Sequence, residues 1–161
     1  MKNRNPNIGI SEKNLEIVAT KLNVLLADEY VLYTKTRNAH WNLVGEDFYA
    51  VHKFFELQFE LLDELIDSIA ERVRSLGHFS VATLKNFLSL TQLTEASNQK
   101  NDSQGFITAL LGDHEMIIIY LREIITKIAD ENHDVGTSDF LTSVLETHEK
   151  MAWLLRSHLT K

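Results

Sequence analysis

After Pro6 the chain runs to Lys161 without another proline, and only six glycines interrupt its 161 residues. Proline and glycine end helices and turn chains, so a sequence this poor in them has few places to stop. Few, long helices are the expectation, and apolar residues at helical spacing locate them. Ser11 is suited to cap a first helix carrying Leu15, Val18, Leu22, Leu25 and Tyr33, a pattern that ends near Asn38. Trp41 to Gly45 reads as a short connection. Glu46 and Asp47 then place negative charge in the first turn of a second helix that reaches Leu76 and stops at Gly77.

The second helix is unusually apolar. Phe48, Val51, Phe55, Phe59, Leu62, Ile66, Ile69 and Val73 form one stripe, and Phe54, Leu57, Leu61 and Leu65 widen it to an arc of about 200°. A helix buried on one side needs less, so this one is expected to pack on two. A connection of 24 residues, His78 to Asn101, follows, with a short amphipathic piece at Leu84 to Leu88. It is too long for a hairpin between antiparallel neighbours and reads as a crossover. A third helix, from about Ser103 to Asp130, carries Phe106, Leu110, Ile117, Leu121, Ile124 and Ile128. A fourth carries Leu141, Leu145, His148, Ala152, Leu155 and Leu159. Four long helices with one long crossover between the second and third describe an all-α, ferritin-like four-helix bundle with a short helix in the crossover. Residues 11–161 form that single domain, and residues 1–10, polar and without periodicity, read as a flexible tail.

Composition narrows the chemistry. With no cysteine, thiolate metal sites, disulfides and cysteine nucleophiles are excluded, and any metal must be held by nitrogen and oxygen. A net charge of -7 opposes general binding to nucleic-acid phosphates and suits cations. No apolar run approaches the roughly 18 residues of a membrane span, and the N-terminus lacks a signal-peptide core, so a cytoplasmic protein is expected.

Metal-ligand residue types gather between Arg37 and Gly77. His40 lies near the end of the first helix, and His52, Glu56, Asp67 and Glu71 fall within about 100° on one face of the second. No Glu-x-x-His motif occurs, so the site that bundles of this type build inside one subunit has no counterpart in the sequence. His52 and Asp67 are also roughly 22 Å apart along a straight helix, far beyond coordination distance. Two copies of the second helix, antiparallel about a two-fold axis, would bring the His52 end of one chain to the Asp67 end of the other, giving two identical sites per dimer. Imidazole with carboxylate suits ferrous iron and equally manganese or zinc. The bland alternative is a solvated acidic helix face with incidental histidines. Elsewhere, His148 sits on the apolar stripe of the fourth helix and reads as buried and hydrogen-bonded. His78, His114, His133 and His158 show no spacing that implies chemistry.

The segments AHWNLVG (Ala39 to Gly45), VHKFFE (Val51 to Glu56) and DSIAERVRSLG (Asp67 to Gly77) resemble the core signature of the Dps family of miniferritins in order and spacing. LGHFS after the second helix, LTQLTE in the crossover and DFLTSVLETHEKMAWLLR in the fourth helix extend the likeness over most of the chain. The resemblance implies a ferroxidase centre built from His40, His52 and Glu56 of one subunit with Asp67 and Glu71 of its two-fold mate, holding two irons. It further implies a hollow homo-dodecamer that oxidises Fe(II), preferentially with hydrogen peroxide, and stores the ferric product. Trp41 would lie near the iron, where its plain role is to pack the corner between the first two helices. Acidic residues at the turn before the fourth helix, Asp130, Asp134 and Asp139, would line iron-entry pores, or else act as caps and loop polarity. Two departures stand out: Glu56 replaces a frequent aspartate, and Lys53 stands where an acidic residue is common. The rival reading is a non-catalytic, nucleoid-compacting cage that binds DNA, opposed by the acidity and by tails with few lysines.

Overall fold

The structure, a computed structural model, describes residues 6–96 and 98–159. It contains helices α1 (Glu12–Asn42), α2 (Phe48–Ser75), α3 (Leu84–Leu90), α4 (Ser103–Asp130) and α5 (Val135–Ser157), with no strand among the described residues. The all-α expectation holds, and so does the long crossover, whose short helix is α3. Helix α1 packs along α2, α4 along α5, and α1 also meets α3 and α4. Ser11 caps α1 as expected, its hydroxyl accepting from Asn14 N at 3.2 Å.

Two helix ends differ from the sequence reading, and both differences bear on the site. Helix α1 continues to Asn42, so His40 and Trp41 lie in its last turn and not in a connection. Nothing in Asn38 to Asn42 breaks a helix; the chain turns at Gly45, whose φ of +144° disfavours a side chain. Glu46 and Asp47 precede α2 instead of forming its first turn, and the Asp47 side chain makes no capping bond. Of the expected N-terminal tail, residues 1–5 lie outside the described residues. Ile10 packs against the core, and the Pro6 ring lies so close to Gly77 (φ +85°) that a Cβ there would come within 2.5 Å of Pro6 Cδ.

The crossover is pinned by one buried carboxylate. Asp28 of α1 accepts from Thr91 Oγ1 at 2.7 Å, Gln92 N at 2.6 Å and Gln92 Nε2 at 3.1 Å. Those bonds compensate the burial of a charged group and fix the chain where it leaves α3.

The apolar stripes meet in one core that includes Leu22, Phe55, Leu62, Phe106, Ile117 and Leu141. Inside it lies a polar chain. His148 of α5 is fully buried, as its stripe position implied; its Nε2 lies 2.7 Å from Glu29 Oε1 of α1, and its Nδ1 lies 2.9 Å from Nδ1 of His114 on α4. One of the two facing Nδ1 atoms carries the proton and the other accepts. Burial first, and the neighbouring His148 second, hold His114 well below its ordinary pKa of 6.5.

The sign of the pH effect follows. The unfolded chain protonates His114 at its ordinary pKa and the folded chain does not, so stability is complete above about pH 7 and declines below about pH 6.5. At fixed protein concentration, denaturant midpoints are expected to fall between about pH 7 and pH 5, and His114→Asn should flatten that fall. His148→Ala, which leaves Glu29 buried without its imidazole, should cost about 3 kcal/mol at neutral pH.

Candidate metal centre

His40 ends α1 and His52 begins α2, and the corner between them presses the two rings together. The imidazoles stack with centroids 3.7 Å apart and planes 20° from parallel, flanked by Phe48 at 5.0 Å and the edge of Phe59 at 5.2 Å. Each ring is held by the other residue's main chain. His40 Nδ1 donates to the His52 carbonyl at 2.9 Å, and His52 Nδ1 donates to the His40 carbonyl at 2.8 Å. The His40 carbonyl is open to this bond because Val44 N, which would extend the helix onto it, donates instead to Asn101 O at 2.9 Å.

A carbonyl oxygen only accepts, so both Nδ1 atoms carry the hydrogen. In the neutral imidazoles that assigns both lone pairs to Nε2. The corner therefore orients two adjacent nitrogen ligands in fixed tautomers, as ring-holding contacts do in metal sites.

Glu56 lies one turn beyond His52 and is half-buried. Its Oε2 is 2.5 Å from Lys53 Nζ. That hydrogen bond is the main reason the Glu56 carboxyl is held below its ordinary pKa; the Lys53 charge, His40 and His52 add to it, and partial burial opposes it. The lysine in turn is raised, first by the same bond. Asp67 and Glu71 lie further along α2 on its exposed side, and among the described residues neither carboxylate takes part in a hydrogen bond or ion pair. The structure thus brings His40, His52 and Glu56 together and leaves Asp67 and Glu71 distant. Among the described residues, no three His, Asp or Glu side chains of one chain converge closely enough to hold an ion.

Trp41 is 64% exposed and does not fill the α1–α2 corner. It faces outward from the last turn of α1 with the Arg37 guanidinium 4.8 Å over its ring; the same guanidinium lies 4.3 Å over Phe59. The i, i+4 spacing of Arg37 and Trp41 carried that signal in the sequence, as the i, i+3 spacing did for Lys53 and Glu56. The Glu29–His148–His114 chain had a partial signal only, because nothing local links residues on three helices.

The three aspartates assigned to a pore separate. Asp130 and Asp139 are exposed. Asp134 is buried and caps α5: Oδ1 accepts from Thr137 N at 2.9 Å, Oδ2 accepts from Thr137 Oγ1 at 2.5 Å, and Arg72 of α2 lies 3.3 Å from Oδ1. In the single chain the Asp134 carboxylate is committed to the end of α5 and to Arg72, which supports the capping role of the two that the sequence left open. Asp139 lies beyond the first turn of α5, which holds no acidic residue.

A bundle of four long helices with a crossover helix, carrying a histidine at the end of the first helix and a histidine and carboxylates on the second, defines a ferritin-like protein, and the ferritin-like domain family matches residues 19–161. The chain is 36% identical to DNA protection during starvation protein 2 of Bacillus anthracis over 87% of this chain and 94% of that protein. It is 41% identical to an uncharacterized low temperature-induced protein of Nostoc sp., over 95% of this chain and 86% of that one. The Dps crystal structure from Vibrio cholerae O1, described as a member of a broad superfamily of ferritin-like diiron-carboxylate proteins, superposes with a TM-score of 0.90 at 29% identity, covering 96% of each chain. Dps from Thermosynechococcus elongatus gives 0.86 at 32% identity, covering 92% of this chain and 94% of that one. This chain belongs to the Dps family.

The two roles of the acidic turn are separable by experiment. Asp134→Ala is expected to lower unfolding stability by about 1 kcal/mol or more, the cost of a lost cap. Asp130→Asn with Asp139→Asn should leave unfolding stability nearly unchanged and slow iron uptake at low salt.

Proposed function

We propose that this protein oxidises Fe(II) and stores the ferric product, at centres that two copies of the chain complete together. The observation that carries this reading is the His40–His52 pair, whose Nε2 atoms take no hydrogen bond among the described residues, beside the carboxylate of Glu56 and remote along α2 from Asp67 and Glu71. A two-fold mate supplies the missing pair: its Asp67 and Glu71 meet His40, His52 and Glu56, and the reverse occurs at the second site.

The exposed surface supports such a pairing. Phe48, Tyr49, Leu57 and Leu61 of α2 are exposed in the single chain, and Trp41 and Val44 are exposed at the preceding corner. Apolar area of this extent around the ligand face is what a partner would cover. The wide apolar arc of α2 then serves both the core and the interface.

Iron is the substrate of the centre. Two ferrous ions are held by a mixed set, imidazole from one chain and carboxylate from both, and hydrogen peroxide accepts one electron from each. With two protons the products are two ferric ions and two water molecules, so the oxidant is consumed by a paired transfer that releases no hydroxyl radical. The carboxylates stabilise the higher charge of the product. A closed dodecamer in the cytoplasm would hold the mineral. The set also accepts zinc or manganese, which would occupy the centre without the same chemistry. Trp41, beside His40, is placed to intercept a one-electron oxidant that escapes.

The relatives' names speak of DNA protection. Removal of ferrous iron and peroxide protects DNA without contact, and a net charge of -7 per chain opposes contact with phosphates. No retardation of duplex DNA is expected in a gel-shift at about 0.1 M salt; retardation that vanishes steeply with added salt would favour the non-catalytic, nucleoid-compacting reading.

The shared site has a distinctive test. Chains with His52→Ala, and chains with Asp67→Ala and Glu71→Ala, should each form cages that oxidise Fe(II) with peroxide no faster than the uncatalysed reaction. When the two are co-assembled, each mixed dimer regains one intact centre, and about one quarter of the wild-type rate should return. Two inactive variants that stay inactive together would sink the intersubunit centre.

A further inference from the structure

We infer that Lys53 is a built-in competitor for iron, engaging the Glu56 carboxylate and thereby setting the ferrous concentration at which the centre fills. The inference rests on the centre proposed above and assigns a regulator to it. Glu56 is the one carboxylate of the chain's own half-site, yet its Oε2 lies 2.5 Å from Lys53 Nζ. Among the described residues His40, His52 and Glu56 do not converge on an ion, although both histidines lie near enough to act on the Glu56 charge. A metal ion that takes Oε2 of Glu56 must displace the ammonium, and one that binds through Oε1 alone sits beside a positive charge that water screens only in part.

The lysine can leave. Its side chain is about half exposed, at 52%, so no packing holds it in place. Glu60, two turns along α2, exerts only a small attraction on it. Exposed pairs of this kind are weak, so the lysine delays loading without preventing it. Lys53 is a positioning residue, since it acts through Glu56 and touches neither iron nor peroxide.

The test uses the assembled full-length protein, with Co(II) as a redox-stable probe followed by its visible absorption, and Fe(II) oxidation rates measured against Fe(II) concentration. Lys53→Gln should bind Co(II) about two- to ten-fold more tightly than the wild type, and its half-saturating Fe(II) concentration should fall by a similar factor with the maximal rate unchanged. Lys53→Arg, which keeps the cation, should behave as the wild type. Unchanged or weaker binding by Lys53→Gln, or an equal gain in Lys53→Arg, overturns the role of Lys53. His52→Ala serves as the control for the centre itself. If it binds Co(II) as the wild type does, the His40–His52 centre fails and Lys53 fails with it; if it loses binding, the result with Lys53→Gln decides the lysine alone.

Discussion

Two hydrogen bonds between imidazole rings and main-chain carbonyls tie the last turn of α1 to the second turn of α2, and the geometry of the candidate centre depends on them. Each bond requires a carbonyl that its own helix leaves accessible. For His40 that condition is met because Val44 N donates to Asn101 O, at the far end of the crossover. The crossover is itself fixed upstream by Asp28, which holds Thr91 and Gln92. The loop that joins the two halves of the bundle thus reaches the two histidines of the candidate centre through one backbone amide. A change in the crossover would release the His40 carbonyl to its helix before it disturbed any ligand directly.

Much of the fold was legible because it rests on local rules. Ser11, the apolar stripes and the bounds of α4 followed from capping chemistry and helical spacing, and Gly77 adopts the positive φ that a helix stop requires. The end of α1 was misread because Trp41 to Gly45 contains a turn signal only at Gly45, and a helix runs on until something stops it. The choice between pore and cap for Asp134 stayed open because sequence shows charge and not burial. The position of that residue, three residues before Thr137 and opposite Arg72 of another helix, supports the cap.

The site was legible by halves. The spacing of His52 and Asp67 on a straight helix argues against a centre within one chain, and that argument needs no structure. What sequence could not supply was the state of the ligands. The tautomers of His40 and His52 follow from carbonyls twelve residues away in each direction, and the engagement of Glu56 follows from the direction of a flexible lysine. Both are tertiary or rotameric facts, and both decide how the centre meets a metal.

The histidine pair in the core shows how much the second partner matters. His114 and His148 also face each other, with Nδ1 atoms 2.9 Å apart, and a carboxylate, Glu29, is within hydrogen-bonding distance. By residue type this is as good a ligand set as the one at the corner. The partners differ: in the core His148 spends Nδ1 on another imidazole and Nε2 on a carboxylate, so it has no lone pair free for a metal, and His114 is left as a single donor in a buried position. At the corner each ring spends only Nδ1, on a carbonyl, and keeps Nε2. One pair is closed by its hydrogen bonds and knits α1, α4 and α5 together, whereas the other is opened by them and presented beside the surface that a second chain would cover.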